Sequence, residues 1–408
     1  MTMEIGSMMH AMRDQAGIPA IPLLFQFLMI ATWVLHIAFV NLTLGAAAVA
    51  IYAFYRHRRD SDWERLSIAM TKVAKVGVSL LIVLGVAPLL FTQVIYDPQW
   101  YASNVLSARW AILFIASLTV AYCLWFAFYW GNRGGAKRYI GLYAIAALGL
   151  FLLDGLIMHA LSYQSIQPQR WMEWYAPNGV VDTRGATLHA IEWSRYLFII
   201  SLSAPATGIF LVAYADYFAA RADKPPSYLA FARRLGRKTA CRGFIIATVL
   251  LIWWHLDQRQ DLGLTWNPFA WLMVFAMLIM ANVVRDAKAN IHGYLLIAFG
   301  LGTLAMLAVW REIVRATSLR ALGYVVSDYR VNVDWPSLLL FFSTFLGVGG
   351  LVGGYYLAVL YRSGKVAGQY EADGLVARLG TGAVVVLALW IAVFFAYGAA
   401  IYIRNTLT

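Results

Sequence analysis

The sequence predicts an all-α, polytopic membrane helical bundle of about ten transmembrane helices, and three observations carry that prediction. Of 408 residues, 62% are apolar and only 13% charged, whereas soluble domains carry about a quarter charged residues. The run from Ile21 to Tyr55 holds no Asp, Glu, Lys or Arg, which exceeds the roughly 20 apolar residues that cross a bilayer. The segments between such runs alternate between basic and aromatic character, the pattern of the positive-inside rule.

Taken in order, the apolar runs place spans at about 22–54, 74–96, 110–130, 139–163, 195–217, 240–256, 268–284, 293–313, 337–361 and 380–403. RHRRDSDWER (56–65), GNRGGAKR (131–138), the stretch 220–242, RDAKAN (285–290) and RSGKVAG (362–368) are basic. They are expected in the cytoplasm, with both termini on the outer side. The net charge of +12 therefore reads as topology rather than nucleic-acid affinity. Residues 1–361 are expected to form the main bundle, and 362–408 a cytoplasmic loop plus an extra C-terminal transmembrane helix. The first twenty residues lack a basic n-region followed by a cleavage site, so no signal peptide is expected. Cys123 in a span and Cys241 in a basic loop offer neither a disulfide framework nor a CxxCH haem attachment.

An ionisable side chain deep in a span is costly unless it faces a bundle interior and meets a partner, so His36, near the middle of the first span, is a candidate site, the plainer reading being a histidine hydrogen-bonded to a neighbouring helix. A neutral imidazole is also a ligand of haem iron. With the stated orientation His159, His189, His255, Met273, Glu312 and Arg315 all fall toward the outer face. Histidines, a methionine and a carboxylate gathered there from several helices are what buried haems require. Singly, Met273 among Met277 and Met280 reads as core filler, His189 as a loop residue, and His255 beside Trp253 and Trp254 as an interface anchor. His57 and His292 read as solvated or headgroup-facing on the cytoplasmic side. Asp154, buried in span four about 7.5 Å along the axis from His159, suits a proton path or an arginine partner. Gly347, Gly349, Gly350, Gly353 and Gly354 read as close helix packing. No HExxH, GxSxG or P-loop is present.

These residues resemble subunit I of the cytochrome bd quinol oxidases. HIAFVNLTLG (36–45) is similar to the family segment whose histidine ligates a high-spin haem, which maps to His36. GVAPLLFTQVIYDPQW (85–100) is similar in spacing to the family's second span and ends in Trp100. YLAFARR (228–234) resembles the segment before the family's sixth span, and AWLMVFAMLI (270–279) the one carrying the methionine ligand of a low-spin haem, at Met273. WREIVR (310–315) keeps a Glu-x-x-Arg spacing that gives Glu312 to another high-spin haem. The resemblance implies haem b, two or three groups in all with a d-type haem among the options. It also implies iron ligation by His36, Glu312 and Met273 and catalytic roles for Glu312 and Arg315; the residues themselves add His159 as the first choice for a further iron ligand and Asp154 as a catalytic group on a proton path.

The sequence departs from that family at several points. Ile199 stands near the low-spin haem histidine, Arg109, Trp110 and Ala111 replace glutamates of the third span, and Gln93 replaces one in the second. The long quinol-binding loop shrinks to DQRQDLGLTWNP (257–268), so quinone remains a partner without its usual site. The resulting expectation is a haem-b electron-transfer subunit of a respiratory complex in a bacterial inner membrane. Its expected partners are other membrane subunits and a periplasmic c-type cytochrome docking on Trp171, Trp174 and Tyr175. The alternatives are a terminal oxidase reducing oxygen at a high-spin haem, and a proton-coupled transporter or channel without haem.

Overall fold

The computed structural model describes residues 2–56, 61–133, 136–286 and 291–407; His57 lies outside them. Among the described residues no strand forms, and ten helices are long and apolar enough to cross a membrane. They are Pro22–Arg56, Asp62–Ile95, Ala108–Gly131, Arg138–Gln164, Trp193–Tyr217, Pro226–Leu256, Pro268–Arg285, Gly293–Arg320, Trp335–Ser363 and Gly374–Thr406, called spans one to ten. The chain is a multi-pass membrane protein.

Local chemistry fixes where these helices begin. Prolines open spans one, six and seven, where the missing amide has no intrahelical partner to lose. Ser61, Asn267 and His292 each accept a backbone amide at the start of spans two, seven and eight. Three boundaries differ most from expectation. Span two begins at Asp62 rather than 74, span six at Pro226 rather than 240, and span eight ends at Arg320 rather than 313. Their extensions carry Asp62 and Glu64, the arginines of the 226–242 stretch, and Arg315 and Arg320, and such helix ends are too polar for a hydropathy window to include. Cys241 consequently lies inside a helix rather than in a loop.

Spans one to four pack as a ring, each against the next and four against one, and spans five to eight close a second ring in the same way. Span one joins the rings by packing against spans five and eight. Small residues set these approaches: a Cβ on Gly45 would lie 2.3 Å from the Ser203 carbonyl oxygen, and one on Gly208 would lie 2.4 Å from the Ala240 amide nitrogen. In lipid, where apolar surface gives no drive for helices to associate, such contact is what packing rests on. Spans nine and ten pack chiefly on each other. A Cβ placed on Gly347, Gly350, Gly353 or Gly354 would meet nothing within 4 Å, so this stripe makes no close helix contact among the described residues.

Span one begins on what is here called the entry face. A short helix, Thr2–Ala11, and the segment after span eight cover it. Ile18 exchanges backbone bonds with Arg330 and Asn332 at 2.8 Å each. Arg13 stacks 4.2 Å over Tyr324 and 3.9 Å over Tyr329 and donates to the Val325 carbonyl at 2.7 Å. Tyr329 donates to Asp97, and its hydroxyl lies 2.8 Å from that of Tyr324. His292, half exposed, lies on the opposite face, 3.8 Å from Asp216.

Candidate functional site

The site is built where span one meets span eight. Gln26, Met29, Trp33 and His36 recur at helical spacing down one face of span one, and Glu312, Arg315 and Arg311 answer the first three of them from span eight. Gln26 Nε2 donates to Glu312 Oε1 at 3.2 Å, Arg315 Nη1 lies 3.2 Å from Met29 Sδ, and the Arg311 guanidinium stacks 4.2 Å over Trp33. Tyr96, at the end of span two, donates its phenol to Glu312 Oε1 and lies under the Arg315 guanidinium at 4.8 Å. Arg315 closes the set with Glu312 Oε2 at 3.5 Å. Glu312 is 9% and Arg315 7% exposed. A buried ion pair is tolerable only with such added hydrogen bonds, because desolvation otherwise exceeds the attraction.

His36 sits about 15 Å along the axis below Gln26. Its Nδ1 lies 3.0 Å from the Leu81 carbonyl of span two. A carbonyl only accepts, so Nδ1 holds the proton and Nε2 the lone pair. Gly85, one turn on, leaves room for the ring: a Cβ there would stand 2.9 Å from His36 Cε1.

The other histidines differ in which nitrogen is engaged. His255 is fully buried, its Nε2 donates to the Ala270 carbonyl at 3.0 Å, and Nδ1 has no partner. Trp254, Trp271 and Trp310 surround it. His159 accepts the Glu192 amide on Nε2 at 3.1 Å, leaving Nδ1 buried and unpartnered, and stacks on Tyr163. His189 belongs to the loop layer, stacked on Trp174 at 5.2 Å; burial lowers its affinity for a proton. Met273, 3% exposed, shares an apolar cluster with Met277, Met280, Trp254 and Trp310.

Asp154 has both carboxylate oxygens buried without a partner. Among the described residues no arginine pairs with it. Trp171 and Trp174, expected to present a docking surface, are 6% and 8% exposed, since Trp171 bonds back to Gln164 and Trp174 packs on His189. Tyr175 is exposed. Trp100 lies in a short helix, Asp97–Leu106, between spans two and three. Among the described residues no three His, Cys, Asp or Glu side chains come together to hold a bare metal ion.

Four members of this region do not stand out from sequence: Gln26, Tyr96, Arg195 and Arg311. The two arginines carry a legible signal, a guanidinium inside an apolar span. Comparison with models of known protein families and with curated proteins returns no match.

Proposed function

We propose that the chain is a haem-b-containing membrane subunit that passes electrons within a respiratory complex, with the entry face toward the periplasm. The observation that carries this reading is the state of His36. Its Nδ1–H is committed to the Leu81 carbonyl, which leaves the lone pair on Nε2, while Gly85 makes room along the Cε1–Nδ1 edge of the ring; a carbonyl on the far nitrogen is the arrangement that fixes the tautomer of a metal-ligating imidazole. Glu312 and Arg315 stand on the same interhelical seam, and a guanidinium fork suits a propionate. Met273, with His255 or His159, would serve a low-spin haem. Bound there, the group would supply one-electron exchange, and the helices its position, polarity and dryness. Membrane partners and a periplasmic c-type cytochrome follow from the same reading, as does reduction of oxygen if a high-spin haem stays open. A second reading, proton-coupled transport without haem, draws on Asp154, whose carboxylate has no partner inside a span. Colour decides between them. A reduced-minus-oxidised spectrum of the purified chain with a Soret band and a haemochrome count of at least one upholds the first reading, and a colourless protein defeats it.

A further inference from the structure

Spans four, five, six and eight border a small cleft near the entry face, with cavity room of about 10 Å³, lined by Ser162, Tyr163, Arg195, Trp254, Arg311 and Arg315. Three guanidiniums meet there inside a membrane bundle. Arg315 has Glu312 as its partner. Arg195, only 7% exposed, makes no hydrogen bond or ion pair with a described residue, and its Nε is buried without an acceptor. Arg311 likewise makes no hydrogen bond or ion pair with a described residue. Glu312 is already engaged by Tyr96, Gln26 and Arg315, and Glu192 accepts from Ser194 at 3.1 Å. Aromatic faces offset part of the cost: Arg195 lies 5.8 Å from the Tyr163 ring and 6.0 Å from Trp254, and Arg311 stacks on Trp33. A ring face takes none of their N–H donors, and Arg311 and Arg315, four apart on one helix, repel each other.

We infer that this space is a site for a single oxyanion group, a phosphate or a carboxylate, held by Arg195 and Arg311 with Arg315 at its edge. A cavity of about 10 Å³ is far below the roughly 300 Å³ at which ordinary cofactor pockets begin, so it admits one small charged group and never a whole cofactor. Two sources supply that chemistry: the phosphate of a phospholipid, and the propionates of a haem, the latter resting on the reading above.

The full chain, purified in detergent and washed free of loose lipid in phosphate-free buffer, is assayed for bound phosphorus and for haem, beside Arg195→Gln and Arg311→Gln. Each lost guanidinium should weaken retention about tenfold to a hundredfold. Phosphorus retained by the wild type and lost in the variants, with haem unchanged or absent, identifies a lipid phosphate. Haem lost or its midpoint potential shifted, with no bound phosphorus, identifies propionates. Arg195→Lys, which keeps the charge but not the fork, should retain less ligand than wild type and guards against a folding failure of Arg195→Gln. If bound phosphorus, haem content and potential are the same in all four proteins, the site is overturned. Without a ligand, removing a buried unpaired charge should raise thermal stability instead.

Discussion

The imidazole of His36 is tied through Nδ1 to the carbonyl of Leu81, 3.0 Å away on the neighbouring span, and its ring faces Gly85 with no Cβ between them. A side chain at 85 would therefore displace the ring without touching its chemistry. Gly85→Val should remove about one haem per chain, as His36→Ala should, while the protein still inserts and elutes as a single species. Pyridine haemochrome against protein concentration measures it. Unchanged stoichiometry in His36→Ala would end the assignment of that residue.

The Tyr96 phenol is the partner that joins span two to the carboxylate of Glu312. Tyr96→Phe removes a donor from a buried ionised acceptor, a loss of about 1.5–3 kcal/mol, so thermal unfolding in detergent should shift downward. If Glu312 also stands at a haem, Glu312→Gln and Arg315→Lys should move its spectrum or midpoint potential. With both untouched, the group is a structural clamp between spans one, two and eight.

The fold is legible because hydropathy reports the apolar middle of each span, and that middle is set by the bilayer. The helix ends are not: Asp62, Glu64 and the arginines after Pro226 are helical yet polar, since a helix needs no lipid once its first turn is capped by Ser61 or begun by proline. At the site, depth is legible for His36, Glu312 and Arg315. Pairing is not, because Gln26 with Glu312 and Arg311 with Trp33 are decided by how span one crosses span eight, and a single sequence holds no crossing angle. Arg195 and Arg311 are visible as charges inside spans, but Arg195 lies in no motif and Arg311 lies within WREIVR outside its Glu-x-x-Arg pair.

The entry-face cover should respond to pH through Asp97. Burial raises the affinity of its carboxyl for a proton above the ordinary carboxylate value, although the bonds from Tyr329 and the Asp14 amide act the other way. The folded state then binds that proton more tightly than the unfolded one. This contribution is fully present below the ordinary carboxylate pKa and is lost as pH rises through the folded value. Measured against the intrinsic exchange rate at each pH, amide protection of residues 2–20 should rise on acidification from neutral, and Asp97→Asn should flatten that rise. An equal rise in Asp97→Asn would place the titrating group elsewhere.

The last prediction concerns which histidine stands opposite Met273 if a low-spin haem is present. Burial of Asp154 near His159 favours His159 in the sequence, but the hydrogen bonds argue for His255. His159 already uses its Nε2 lone pair to accept the Glu192 amide at 3.1 Å, so its proton sits on Nδ1 and ligation would first have to break that bond. His255 donates Nε2–H to the Ala270 carbonyl at 3.0 Å and keeps the Nδ1 lone pair, buried and unused, beside the cluster that contains Met273 and Trp254. A carbonyl acceptor on the far nitrogen is the support that fixes a ligating imidazole. His255→Ala should abolish the low-spin component and His159→Ala should leave it. Met273→Leu should lower the potential, because a thioether ligand raises it. Near-infrared magnetic circular dichroism reads the axial pair through its charge-transfer band. A band that survives His255→Ala and vanishes in His159→Ala would reverse the assignment, and a wild type with only high-spin haem would return both histidines to packing.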